Sequence, residues 1–347
     1  MQFTSLVALA LAASVSALNI TVLQPDVPLA PSPLPLPGAA KDCDEIVAAF
    51  ANLGRTTVWN LVQKIKFQGD TYEPEGIVRI GDDRFYVSAG EYTAPTTSYG
   101  NNTVINGTDR QPGAGFAHII VFDGNGTRVA DATLTEDGAI EYHNGGIDYD
   151  GKYIWATIAE YRPNATATLI KIDPLTINVT TILHIADHQG GAVHDVDTGN
   201  VHMLNWGSRN VSTWNLNYVP AAYPEFTRPR SITRNPSYYT DYQDCKFLGH
   251  PAVYDYRGVM LCSGVTSIYN TSIGGLAIVD LKTMVPLAEV PITMKSDLGT
   301  LVTQNPVDVA IVDGKLRVYF LPDQHNSTLY VYEPLAASPF EFGGGFE

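Results

Sequence analysis

Three histidines and a glutamate stand at the heads of similar short segments, and all four carry side chains that handle protons. The segments are EPEGIVRIGDDRFYVSAGE from Glu73, HNGGIDYDGKYIWATIAE from His143, HQGGAVHDVDTGNVHMLNWG from His188 and HPAVYDYRGVMLCSG from His250. A fifth, NPVDVAIVDGKLRVYFLPD, opens on Asn305. Imidazoles change charge near neutral pH and a carboxylate accepts protons, so their convergence would supply an acid–base or metal site. The plainer alternative is a hydrogen-bonded ring that only satisfies the ends of strands.

Glu75, Tyr161, His194, Trp206 and Arg209 lie in or just after the same segments. Trp206 followed by Gly-Ser-Arg offers an aromatic wall and a guanidinium for an anionic group, whereas each residue alone is equally at home in a core or a surface ion pair. Neither His-Glu-x-x-His, an EF-hand loop nor a zinc-spaced cysteine pair occurs, so no metal and no cofactor is assigned. A structural calcium held in a channel by Glu73, Asp308 and waters is the alternative. Gly-x-Ser-x-Gly, phosphate loops and dinucleotide fingerprints are also missing. Glycoside cleavage would have to draw its carboxylates from Glu73 or Glu75, Asp195 and Asp308.

The elements that must position these residues are strands. Each segment reads as a polar head, small residues, an apolar strand, a tight turn and a second apolar strand, and most are followed by another hairpin pattern such as AHIIVFDGNGTRVADATL or GGLAIVDLKTMVPLAEVPI. Two hairpins make a propeller blade. The last segment ends at Tyr330-Val331-Tyr332 without an outer strand, while VWNLVQKIKF, residues 58–67, precedes the first segment and alternates suitably. The expectation is an all-β, five-bladed β-propeller closed by an N-terminal strand, with six blades as the alternative if residues 218–243 hide an irregular one. The innermost strands line the channel, so Glu73, His143, His188, His250 and Asn305 are expected in one ring at its mouth. The Tyr- and Pro-rich insertion at 217–244 is expected to act as a lid, and the insertion at 92–116 to face solvent.

Residues 1–17 read as a secretory signal peptide cleaved near Leu18, residues 18–41 as a proline-rich arm in polyproline II conformation, and residues 42–347 as the propeller domain. Asn-x-Ser/Thr sequons at Asn19, Asn101, Asn106, Asn125, Asn164, Asn178, Asn210, Asn270 and Asn326 support a secreted glycoprotein. The net charge of −15 argues against nucleic acid and anionic membranes as partners. Cys245 and Cys262 flank a turn and the following strand pattern and are expected to pair. Cys43, in the helical stretch DCDEIVAAFANL, has no basic neighbour to activate it and reads as an inert, buried thiol.

The runs HNGGIDYDGKYIWATIAEYRPNATATLIKIDP, YEPEGIVRIGDDRFYVSAGEY and HQGGAVHD resemble a family of secreted β-propeller proteins widespread in fungi and also found in bacteria. Within it the chain is similar, over most of its length after the signal peptide, to the hetero-Diels–Alderases of fungal tropolone sesquiterpenoid biosynthesis. That resemblance implies a cofactor-independent enzyme whose small-molecule partners are a polyketide-derived tropolone and a sesquiterpene. It would assist loss of water from a hydroxymethyl tropolone and capture of the quinone methide by a humulene-type alkene. On the residues themselves, His143 or His188 is the candidate proton donor, and Glu75 and Arg209 are candidates to meet the tropolone hydroxyl. Glu73, Tyr161, His194, Trp206, His250 and Asn305 complete the expected substrate contacts. The rival expectations are a secreted carbohydrate-binding propeller or a glycan hydrolase or lyase.

Overall fold

The computed structural model describes residues 14–218, 227–237 and 240–335. Five antiparallel sheets, each running outward from an inner strand, form a five-bladed β-propeller. The inner strands are Glu73–Arg79, Glu141–Asn144 continued by Asp148–Tyr149, Gln189–Asp195, Asp241–Gly249 and Val307–Val312. The second strands are buried almost throughout, as in Ile154–Glu160, because blades cover both of their faces. Their turns follow local chemistry. Asp313-Gly314, with φ of 52° and 71°, closes the Val312–Lys315 pair as a two-residue hairpin of the kind that fits strand twist.

The ring closes as the sequence pattern predicts. Strand Trp59–Lys66 lies antiparallel to Thr328–Pro334 and becomes the outer strand of the fifth blade. The arm before it does not stand apart from the propeller. Asn19–Val22 adds a fifth strand to the first blade, and Ser14–Ser16 pairs with the outer strand of the second. The prolines then run beneath these blades: Arg84 Nε donates to Pro28 O at 2.9 Å and Tyr149 Oη to Pro35 O at 2.8 Å. Polyproline backbone keeps its carbonyls free, and buried tyrosine and arginine donors take them. The folded part therefore begins well before Asp42. The short helix Gly38–Lys41 packs on the inner strands of blades four and five, with Gly38 against Ala310, and covers the axis at the face remote from Glu73.

Cys245 and Cys262 sit directly opposite each other on neighbouring strands of blade four and form the expected disulfide. Cys43, half-buried in the helix Cys43–Phe50, has its thiol pushed up to about 12 by burial and by Asp44 and Glu45, which suits an inert role. No helix of the described residues is long and apolar enough to cross a membrane. Eight of the nine sequon asparagines are exposed and Asn210 is half-buried.

The axis holds a buried charge cluster. Lys246 Nζ contacts Asp244 Oδ1 at 2.7 Å and Ile147 O at 2.7 Å, with the carboxylates of Asp148 and Asp308 within electrostatic reach. These aspartates also accept backbone N–H groups of other blades: Asp148 from His194 and Phe247, Asp244 from Ile77 and Val307, Asp308 from Arg79. A calcium pairing of Glu73 with Asp308 is not built. Asp308 lies beside Arg79, and Glu73 and Arg79 are the two ends of one strand, about 20 Å apart at strand rise. An ammonium supplied by the chain itself stands among the axial carboxylates instead.

Candidate functional site

At the face opposite the helix plug, the blades surround a cavity of about 460 Å³. Its reactive wall comes from the heads of the first three inner strands: Glu73, Glu75, His143 and His188. The pairing of the first inner strand slips between Pro74 and Gly76, that of the third between Gln189 and Gly191, and that of the fourth between Tyr242 and Asp244. The extra residues, Glu75, Gly190 and Gln243, all line the cavity. A bulge re-aims one residue out of the pleat, which turns the side chains of Glu75 and Gln243 to the mouth, while Gly190 brings only backbone there.

The repeated His-x-Gly-Gly has a packing cause. Gly146 N donates to Gly190 O at 2.8 Å and Ala192 N to Gly146 O at 3.2 Å, which joins the inner strands of blades two and three backbone to backbone. A Cβ on Gly145 would stand 2.1 Å from Gly190 O. The glycines therefore bring the two strands together, and His143 and His188 arrive with ring centroids 5.6 Å apart.

Each histidine is held differently. His188 Nδ1 lies 2.7 Å from the carbonyl oxygen of Glu160, so it donates there and leaves Nε2 as an acceptor. Burial, followed by the neighbouring charge of His143, pulls the His188 pKa down to about 3. His143 also pays for burial, but the nearby Glu75 carboxylate, with Oε1 3.6 Å from Nε2, and then Glu73 outweigh it and raise its pKa. Burial and the charge of Glu75 push Glu73 up to about 7. One oxygen of Glu73 accepts from Gln324 Nε2 at 2.6 Å, while Oε2 is buried without a partner, as is His143 Nδ1.

Aromatic rings back this wall. Tyr161 stacks on His143 at 4.9 Å, Trp206 meets Tyr161 edge-on at 5.3 Å and His188 at 5.0 Å, and the Arg110 guanidinium lies over Trp206 at 5.1 Å. Thus the insertion at 92–116 leans onto the cavity's aromatic rim rather than facing only solvent. The insertion at 217–244 is not a single lid: Ser231–Arg234 is the outer strand of blade three, and Asp241–Asp244 begin the inner strand of blade four. Residues 219–226 and 238–239 of that insertion lie outside the described residues.

Tyr161, Trp206 and Asn305 line the cavity as expected, but His250, His194 and Arg209 do not. The inner strand of blade four is Asp241–Gly249, so His250 leaves its far end, where Nε2 lies 3.2 Å from Asp195 Oδ1. His194 is likewise near the far end of its strand, with Nδ1 3.0 Å from Asp150 Oδ2. Arg209, outside the lining, lowers the pKa of the half-buried Asp241 against the burial that raises it. Asp195 and Asp308 are also remote, which leaves Glu73 and Glu75 as the only part of the proposed glycosidase set at the mouth. Asp195, Asp197 and His250 have donor atoms within 4.8 Å of one another, and no other such group of potential metal ligands occurs among the described residues. Gln243, Asp323, Gln324 and Leu298 complete the lining, with Gln324 bonded directly to Glu73; their segments lack the repeat that marks the histidines.

No curated protein matches the chain significantly. Among solved structures it is similar to a luciferin-regenerating enzyme, at 12% identity and a TM-score of 0.42 over 81% of this chain and 96% of that one. It is similar to the calcium-binding protein regucalcin of Agrobacterium tumefaciens, at 9% identity and 0.40 over 79% and 95%. A tail fibre of Staphylococcus aureus phage P68 matches at 9% identity and 0.45, over 86% of this chain and 56% of that one. Identities this low carry nothing about activity. Residues 35–337 match one family over most of the chain, and the protein belongs to that family, DUF6454, whose function is unknown.

Proposed function

We propose that the mouth cavity is a cofactor-free acid–base active site that removes water from a hydroxymethyl tropolone and guides the resulting quinone methide into a hetero-Diels–Alder reaction with a humulene-type alkene. The observation that carries this reading is Glu73: a half-buried carboxyl whose Oε2 is buried without a partner, held partly protonated beside the His143–Glu75 pair. A carboxylic acid kept neutral near pH 7 is a proton donor, and two carboxylates in unlike surroundings divide the roles of acid and charge partner.

In this scheme Glu73 gives its proton to the departing hydroxyl as the C–O bond breaks, and water leaves. The tropolone hydroxyl donates a hydrogen bond to Nε2 of His188, the free acceptor on the same wall, and its proton passes to solvent at the open mouth. The new carboxylate of Glu73 faces His143, whose charged form the Glu75 and Glu73 carboxylates favour against burial. Glu73 regains a proton from solvent, which resets the site. The cycloaddition then forms one C–C and one C–O bond without moving a proton, and needs only that the reactants be held together. A cavity open at one face and walled by Tyr161 and Trp206 suits that task. This assignment moves the donor role from the histidines to Glu73, because burial disfavours the charged form of His188.

One observation favours a second reading. Amide and carboxyl side chains of Gln243, Asn305, Asp323 and Gln324 beside Trp206 are also the make-up of a sugar site. Incubating the purified, glycosylated protein with hydroxymethyl tropolone and humulene, followed by chiral chromatography against a no-protein control, separates the two. A single enantiomer formed above background is the expected result. A racemate at the background rate, together with glycan binding or reducing-end release, would replace this reading with the second.

A further inference from the structure

The cavity's far rim carries an apolar residue in a place that folding alone does not explain. Leu298 is 64% exposed, yet it borders the cavity on the side of blades four and five, across from the histidines. A lone exposed leucine is ordinary on a protein surface. What sets this one apart is the fixing of its backbone. Ser296 N donates to Thr300 O at 2.8 Å, and Gly299 N to Ser296 O at 3.0 Å. Ser296 Oγ accepts from Leu298 N at 3.1 Å and from Thr300 N at 3.2 Å, and itself donates to the buried Asp323 at 2.7 Å. Asp297 N donates to Tyr330 Oη at 2.8 Å, and the Asp297 carboxylate meets Lys64 at 2.7 Å. Gly299, at φ +90°, permits the reversal.

A loop tip tied down this thoroughly presents its side chain without ordering cost when a ligand arrives. Pro322 also borders the cavity on that side, so Leu298 and Pro322 are apolar points on a rim whose other members, Gln304, Asn305 and Gln324, are polar, while His143 and His188 hold the wall across from them. We infer that Leu298 is a specificity-determining residue that seats the hydrocarbon reactant, while the oxygenated ring occupies the carboxyl and imidazole wall. The inference rests on the proposed dehydration and cycloaddition at this site and adds where the second reactant lies. It requires the two reactants to meet across the mouth rather than stacked along the axis.

The test uses the full-length protein and two readouts. Exchange of solvent ¹⁸O into the hydroxymethyl group reports dehydration without the alkene; product formation against humulene concentration reports the second reactant. Removing apolar contact of this size is expected to raise the KM for humulene roughly tenfold or more in Leu298→Asn, since burying a leucine is worth at least that factor. The exchange rate should stay within about twofold, as should reaction with ethyl vinyl ether, a small alkene that does not reach the rim. Leu298→Ala should fall between the wild type and Leu298→Asn. An unchanged KM for humulene in Leu298→Asn, with exchange intact, overturns the seat while leaving the active site standing. Loss of exchange in Leu298→Asn with unaltered melting would mean that the residue serves the dehydration instead, and also overturns it. Wild-type protein that shows neither exchange nor product removes the active-site reading and this inference together.

Discussion

Glu73 and Glu75 are two positions apart on one strand, yet a bulge and their neighbours set them unlike tasks. If Glu73 is the acid, Glu73→Gln should lower kcat by about 10²–10⁴-fold. The pH profile checks the assignment more sharply. An acid must be protonated to act, so activity should be present below pH 7 and fall as pH rises through about 7, and that limb should vanish in Glu73→Gln. His188 has the opposite sign: as a hydrogen-bond acceptor it must be neutral, and with its pKa pulled down to about 3 it stays so through the mildly acidic range. Turnover should therefore show no histidine-type loss between pH 7 and pH 5, whereas His188→Ala should slow it at every pH.

At the scale of strands, the His-x-Gly-Gly repeats tie catalysis to packing. Gly145→Ala would drive a methyl into the carbonyl of Gly190, which lies 2.1 Å from the required Cβ position. Backbone cannot yield as a side chain can, so unfolding by denaturant should show a loss of about 1–3 kcal/mol or more. Turnover should fall as well, because both histidines ride on the displaced strands. These motifs are also what made His143 and His188 readable from sequence: a glycine pair behind a polar head repeats because the contact between blades repeats. Blade four was not readable in the same way. Its inner strand, DYQDCKFLG, carries Asp244 and Lys246 at fully buried axial positions, and buried charges erase the apolar alternation that marks a strand. The apolar run after His250 therefore passes for the inner strand, and His250 lands at the wrong mouth. Leu298, Asp323 and Gln324 come from connections without a repeat, so nothing in their spacing announces them.

For the molecule as a whole, the axial carboxylates link stability to pH. Burial raises Asp148 to about 8 and Asp244 to about 6, and it raises Asp308 as well. A carboxyl with a folded pKa above its unfolded value near 4 binds more protons when folded, so it contributes most stability below pH 4 and loses it as pH rises through the folded pKa. The melting temperature should therefore climb as pH is lowered from 8 to about 5, before carboxylates with lowered pKa values, such as Asp150 and Asp195, begin to protonate. Asp148→Asn keeps an oxygen to accept the N–H groups of His194 and Phe247 while removing the titration, and should flatten that slope.

The closing strand also imposes an order on the protein's birth. Lys66 pairs with Thr328, a partner 262 residues later in the chain. At ribosomal speeds the early strand must wait roughly 13–50 s before its neighbour is made. During that interval Trp59–Lys66 offers an open hydrogen-bonding edge with Leu61 and Val62 on it, the kind of segment that other nascent chains and chaperones engage. Until synthesis is nearly finished the first four blades form an open arc, and the mouth cavity, whose wall includes Asn305 and Gln324 from the last blade, does not yet exist.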